Sequence, residues 1–232
     1  MSDFPRTTCQ FLADLRDTNT RTWFDANRDR YEREWFGPAQ RFVEAMASPM
    51  SGLSPHHKAV PKVNGSIRRL HRDIRFSKDK TPFDPRLHMV FWTGGHPSRS
   101  PAIHIVLHPD HTGFGAGQFA FGKQELERYR QCVSQNAGKA DELLSILSQL
   151  EACGCALTDE TLKKVPPGTD VAPHHEALVK RKGLVAKTHG SRHPPDRLCD
   201  RPFMQQFLES AASLNNWLCR AAGGDESKVR GN

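Results

Sequence analysis

Residues 86–121 read RLHMVFWTGGHPSRSPAIHIVLHPDHTGFGAGQFAF, and the reading of this stretch decides the fold. RLHMVFW and AIHIVLH are short apolar runs rich in β-formers, separated by the turn-rich TGGHPSRSP, so each reads as a strand. HPDHTG makes a second turn, and FGAGQFAF follows as a third strand. Three consecutive strands joined by turns form an antiparallel meander in the simplest topology. In the middle run Ile103, Ile105 and Leu107 point one way and His104, Val106 and His108 the other, because strand side chains alternate. One sheet face is therefore partly polar. Gly113, Gly115 and Gly117 repeat with period two, so they share a face and bare the backbone there. A packed helix is one reason for such bareness, and a ligand is the other.

Working outward, the flanks are helical. On the N-terminal side Thr8 is a cap for a helix with Phe11, Leu12 and Leu15 inward, and Thr20 caps a second carrying Trp23, Phe24, Asn27 and Tyr31. Gly37-Pro38 is expected to break that helix, with Pro38 opening a third that runs toward Met50. SGLSPHHKAVPKVNGS is a loop. Beyond the strands, QELERYRQCV and DELLSILSQLEA read as helices either side of a break at Asn136. Pro173 opens a short helix, LVAKT returns as a strand, and a last helix runs near Arg201 to Arg220. Helices, then strands, then helices predict an α+β fold: an antiparallel, meander-like sheet from the central region packed with N-terminal and C-terminal helices. A single domain is expected over 1–222, with a flexible tail over 223–232.

The chain has 232 residues, 37% of them hydrophobic, enough for one substantial core. No charged leader precedes a long apolar run at the N-terminus, and the longest apolar runs fall far short of the roughly 20 residues that span a bilayer. The expectation is a soluble cytoplasmic protein with no membrane partner. Of the six cysteines only Cys153 and Cys155 are close, without a second pair to complete a zinc site. The net charge is +7, and the surplus is local. Nine Lys or Arg lie between Lys58 and His88 against three Asp, nearly the whole excess. A concentrated positive field points to an anionic partner, or to a solvated basic face.

Familiar catalytic and cofactor motifs are excluded one by one. His71-Arg72-Asp73 fails as a kinase loop, since Lys78 stands where the magnesium-binding Asn belongs. GFGAGQ fails as a nucleotide fingerprint, since Gln118 takes the third Gly position. His104 and His108 share a strand face but lie about 13 Å apart, too far for one metal ion. A metal would need a His from elsewhere, such as His71 or His174. No metal and no cofactor is expected, and no catalytic set is readable.

That leaves LHRDIRFSKDKTPF, residues 70–83. In an extended chain both faces would mix charge with apolar character, so a simple half-buried strand is disfavoured. Arg paired with Asp is the form in which enclosed charge is tolerated. The segment is therefore either an internal ion-pair brace or a site whose Asp residues aim Arg and Lys at a phosphate or carboxylate.

RRLHRDIRFSKDKTPF resembles the signature of domain-of-unknown-function family 2461, uncharacterised proteins of bacteria and fungi. NTRTWFDANRDRYEREWFGPAQRFVEAM is similar to the family's opening, AIHIVLHPDHTGFGAGQF with ELERYR to its strand, glycine segment and helix, and LKKVPPGTDVAPHHEAL to its Pro-Gly loop. The resemblance covers residues 8 to 218. It implies one α+β domain and a site centred on Arg72, Asp73, Arg75, Phe76, Lys78, Asp79 and Lys80, and no particular reaction. Phe83 departs from the Tyr expected there, so a hydroxyl at this position is not essential in this protein.

The reading that follows is binding of an anionic small molecule, phosphate esters included. The ligand-binding candidates are Arg72, Asp73, Arg75, Lys78, Asp79, Lys80, His104, Gly115 and Gly117. The alternatives are a nucleic-acid-binding module, weakened by the Asp residues within the cluster, and a structural or partner-binding domain braced by the cluster. A concave pocket, a convex stripe and full mutual pairing are the geometries that separate the three.

Overall fold

The computed structural model describes residues 3–188 and 193–223. The tail expected over 223–232 therefore lies, beyond Gly223, outside the described residues. In chain order the elements are α1 (Arg6–Asp17), α2 (Arg21–Ala26), α3 (Arg28–Arg30), a π-helical turn (Tyr31–Phe36) and α4 (Gly37–Gly52). The strands β1 (Leu87–Trp92), β2 (Ala102–Leu107) and β3 (Thr112–Gln118) follow, then α5 (Lys123–Gln135), α6 (Ala137–Ala152) and β4 (Cys155–Leu157). A 3-10 turn (Pro173–His175), α7 (Glu176–Val179), β5 (Leu184–Thr188), a second 3-10 turn (Pro195–Cys199) and α8 (Arg201–Ala222) come next. The fold is α+β. The sheet has five strands in the order β1-β2-β3-β5-β4, so the expected meander holds for the first three. β5 then pairs antiparallel with both β3 and β4. β4, which begins at Cys155, was not expected: three residues are too short to show a period.

Two local expectations are corrected. Thr8 does not cap α1; the helix starts at Arg6, and buried Thr8 donates its hydroxyl to Glu34 O at 2.5 Å. Gly37-Pro38 does not break the helix. Gly37 keeps helical torsions at φ −59° and ψ −47°, and the π-helical turn before it carries the chain directly into α4. Pro38 is the second residue of α4 and is accommodated within this continuous run. Thr20 does cap α2, accepting from Trp23 N at 3.2 Å.

The chain divides into two compact units, each assembled from three segments. The first unit takes residues 3–91, His104–Phe114 and residues 193–205 of those described. Here α1 buries Phe11, Leu12 and Leu15 at helical spacing. Phe24 stacks on Phe83 with ring centroids 4.5 Å apart, and His71 meets both rings edge-on.

The second unit takes Trp92–Ile103, residues 115–188 and residues 206–223 of those described. Its core centres on Tyr129, which packs against Phe121 and Trp217 and donates its hydroxyl to Leu178 O at 3.1 Å. Trp217 in turn donates to Lys139 O at 3.1 Å. Gln118 is buried because its amide donates to Arg99 O, Ala120 O and Glu125. None of the six cysteines is in a disulfide. Burial raises the thiols of Cys9 to about 11 and Cys155 to about 12, which keeps them protonated and unreactive. Among the described residues no helix is long and apolar enough to cross a membrane.

Candidate functional site

The candidate site lies in the first unit and is built by the chain between Val60 and His88. Val60 N donates to Ser66 Oγ at 2.9 Å and Ser66 N returns to Val60 O at 2.8 Å, closing a tight loop. Asn64 at its tip has φ 61°, a left-handed conformation that Asn tolerates. A Cβ on Gly65 would sit 2.7 Å from Val60 O, so the loop requires glycine there. The chain then runs beside β1: Ile67 bridges Met89, Arg68 N donates to His88 O at 2.9 Å, and Val90 N donates to Ser66 O at 2.8 Å. Ile67 is fully buried, and alternation along extended chain turns Arg68 to the opposite side.

A second, longer loop follows. His71 bridges Phe83, Arg72 N donates to Pro82 O at 2.9 Å, and Asp84 N donates to Leu70 O at 2.9 Å. Its closing end is anchored by Asn19, whose carboxamide donates to Phe83 O at 3.0 Å and accepts from Phe83 N at 3.1 Å.

These loops and β1 border a cavity of about 270 Å³ that is open to solvent. Four guanidinium groups line it, from Arg68, Arg69, Arg72 and Arg86, together with Asn64, His71 and His88 and the carboxylates of Asp73 and Asp84. The carboxylates are engaged: Asp84 holds Arg86 at 2.7 Å and Asp73 holds Arg75 at 2.7 Å. Arg72 is bound to Asp79 at 2.5 Å and to the Thr81 hydroxyl. Arg68 is half-buried, its guanidinium pulled below its ordinary value by burial. It has no carboxylate partner among the described residues. Arg69 also has none.

The histidines around this cavity are held neutral. His88 Nε2 and His104 Nδ1 are 2.9 Å apart, one donating to the other. Burial pushes both rings well below the ordinary imidazole value, and Arg68 disfavours a further positive charge on either. His108 is likewise lowered, to about 4, first by burial and then by His111 and Arg86. His71 is lowered by burial and by Arg28, Arg69 and Arg21. The cavity thus carries a net positive charge from arginine alone.

The expected residues divide. Arg72 and Asp73 line the cavity; Arg75, Lys78, Asp79 and Lys80 do not. They form the exposed tip of the longer loop, and most are engaged within it. Asp73 takes Arg75 in a two-oxygen pair at 3.0 and 2.7 Å. Asp79 accepts from Thr81 N and Oγ1, and with Arg72 these lower its carboxyl to about 2. Lys80 Nζ donates to Ile74 O at 3.0 Å. Phe76, 96% exposed, sits 5.8 Å from the Arg75 guanidinium carbon. His104 stands behind His88 as its hydrogen-bonding partner.

Gly115 and Gly117 belong to the second unit, where β5 accounts for both. A Cβ on Gly115 would meet Lys187 Cβ at 3.1 Å, and one on Gly117 would fall 2.0 Å from Leu184 O, with φ +121° besides. The bare backbone is needed for the close approach of a neighbouring strand, which sequence periodicity does not distinguish from a helix or a ligand.

Arg68, Arg69, Arg86, His88 and Asn64 were not among the expected site residues. The signal for the arginines was present in the local charge surplus. For His88 it lay in the HMVFW alternation, which sets it on the face opposite Leu87, Met89 and Phe91.

The chain belongs to the family described as conserved hypothetical protein (DUF2461), whose sequence model matches residues 7–218. Comparison with curated proteins found no match.

Proposed function

We propose that this member of the family binds a small anionic ligand, a phosphate ester or a carboxylate, in the arginine-lined cavity beside β1. The observation that carries the reading is Arg68. A guanidinium drawn partly out of water without a carboxylate is costly, and an incoming anion supplies what the protein withholds. Arg68 and Arg69 offer planar forks suited to phosphate or carboxylate oxygens. Asn64 adds a neutral amide, and uncharged His88 donates or accepts a single hydrogen bond. About 270 Å³ is small for a ligand pocket, which favours a compact anion or the phosphate end of a larger molecule.

The test is a thermal-shift series with inorganic phosphate, sugar phosphates, nucleotides and dicarboxylates, run on the wild type and on Arg68→Ala. A saturable rise with one class, absent in the variant, supports the reading. No rise with any anion defeats it.

A second reading rests on Phe76. An exposed ring beside Arg75, with Lys78 two residues on, could stack on an unpaired base while the cations meet its phosphates. Such binding would be strongly salt-dependent: single-strand contact through about five phosphates gives a log–log slope of about −3.5. Submicromolar affinity with that slope, lost in Phe76→Ala, would put nucleic acid ahead of a small anion.

A further inference from the structure

In the second unit an aspartate meets two adjacent histidines more than thirty residues further along the chain. Asp141 lies near the start of α6, whose first turn is held by the Asn136 side chain accepting from Lys139 N at 3.0 Å. His174 and His175 lie on the 3-10 turn that Pro173 opens, closed by His175 N donating to Ala172 O at 2.9 Å. Both imidazoles aim Nε2 at the same carboxylate oxygen, Asp141 Oδ1, at 2.7 Å from His175 and 3.5 Å from His174. The three ligand atoms all lie within 4.8 Å of one another. Ligands at the usual zinc distances of about 2.0–2.2 Å stand roughly 3.3 Å apart in a tetrahedron. A small rotation of one side chain therefore closes the set. His175 is 2% exposed and fixed, whereas His174 and Asp141 are each 61% exposed at the side chain and free to make that adjustment.

We infer that Asp141, His174 and His175 form a binding site for a divalent transition-metal ion such as zinc. Two imidazole nitrogens and one carboxylate oxygen are the borderline donor set that zinc, cobalt and nickel prefer over calcium or magnesium. A hydrogen bond from His175 alone would satisfy Asp141 on that side. The second ring adds little in water, where an exposed pair is weak, so stability does not account for the convergence. Neighbouring charges do not compete: Glu142 is taken by Lys139 at 2.8 Å and Arg220 at 2.7 Å, and Glu176 by Lys180 at 3.1 Å. Three protein ligands leave at least one position open toward solvent, as in sites that exchange a water or bind a further group. The earlier expectation of no metal rested on His104 and His108 along one strand; here the aspartate and the buried histidine are 34 residues apart.

The test is titration of tag-free protein with cobalt(II), followed by its visible d–d absorption, then displacement by zinc. The expected result is a tetrahedral-type band saturating at one cobalt per chain, lost on adding zinc. In His174→Ala and Asp141→Asn the affinity should fall roughly tenfold or more, whereas His96→Ala should bind as the wild type does. Circular dichroism verifies that the variants are folded, and His174, on the surface, is the one whose removal leaves the core intact. Absence of a saturable band in the wild type overturns the inference. So does a band that survives in both His174→Ala and Asp141→Asn.

Discussion

His88 and His104 face each other from β1 and β2 with Nε2 and Nδ1 2.9 Å apart, and burial keeps both rings uncharged. Of this pair, His88 lines the arginine-rich cavity, and His104 is buried behind it. Two imidazoles can share that bond only while at least one is unprotonated.

A pH dependence of stability follows. The unfolded chain protonates histidine near roughly pH 6.5, whereas folded His104 and His57 wait until about 4, each chiefly because of burial. Between those values the unfolded state binds more protons, so stability falls as pH drops through the window. Above about pH 6.5 these rings contribute no slope. His104 alone accounts for a loss on the order of 3 kcal/mol across the window. Urea unfolding at pH 7.5, 5.5 and 4.5 measures it; a flat profile would show that the rings are not held neutral.

Arg68→Ala and Arg75→Ala should behave differently. Arg68→Ala is expected to abolish anion-induced stabilisation, about 2.7 kcal/mol at about 100 times the dissociation constant, with little change in the ligand-free Tm. Arg75 is 76% exposed at the side chain and pairs with the exposed Asp73, so its removal should leave both Tm and anion binding as they were. A large loss of Tm in Arg75→Ala would mean that the loop tip is a structural brace.

Asn19→Ala removes both hydrogen bonds that hold Phe83, one to its N and one to its O. Stranding backbone groups beside a ring that is 1% exposed should cost about 1–3 kcal/mol. The ring stack of Phe83 on Phe24 depends on the same anchor, so near-ultraviolet circular dichroism should change with it. Unaltered stability would show that water replaces the amide freely.

Gly117→Ala tests the account of the glycine strand. The new Cβ would lie 2.0 Å from Leu184 O at a torsion of φ +121°. Strain and overpacking together should cost about 2–5 kcal/mol, or prevent folding. Gly168→Ala is the comparison: its φ is also positive, at +72°, but the space is open, and the cost should be about 1 kcal/mol. Equal effects would remove β5 as the reason for Gly117.

Much of this was legible in the sequence, because it depends on neighbours along the chain. Apolar β-forming runs placed β1 and β2, helical spacing placed α1 and α8, and Thr20 marked a true helix start. The local charge surplus between Lys58 and His88 was also visible there, since charge density needs no coordinates. Tertiary structure decided the rest. Which arginines enter a cavity depends on the bridge of Ile67 to Met89, and that fixes the side Arg68 takes. The period of the glycines was visible, but their purpose belonged to β5, about seventy residues later and indistinguishable beforehand from a helix or a ligand. Asp141 meets His175 only because α6 and the 3-10 turn pack together. Spacing along a strand can exclude a metal pair, as it did for His104 and His108, but a pair made between elements leaves no trace in the local pattern.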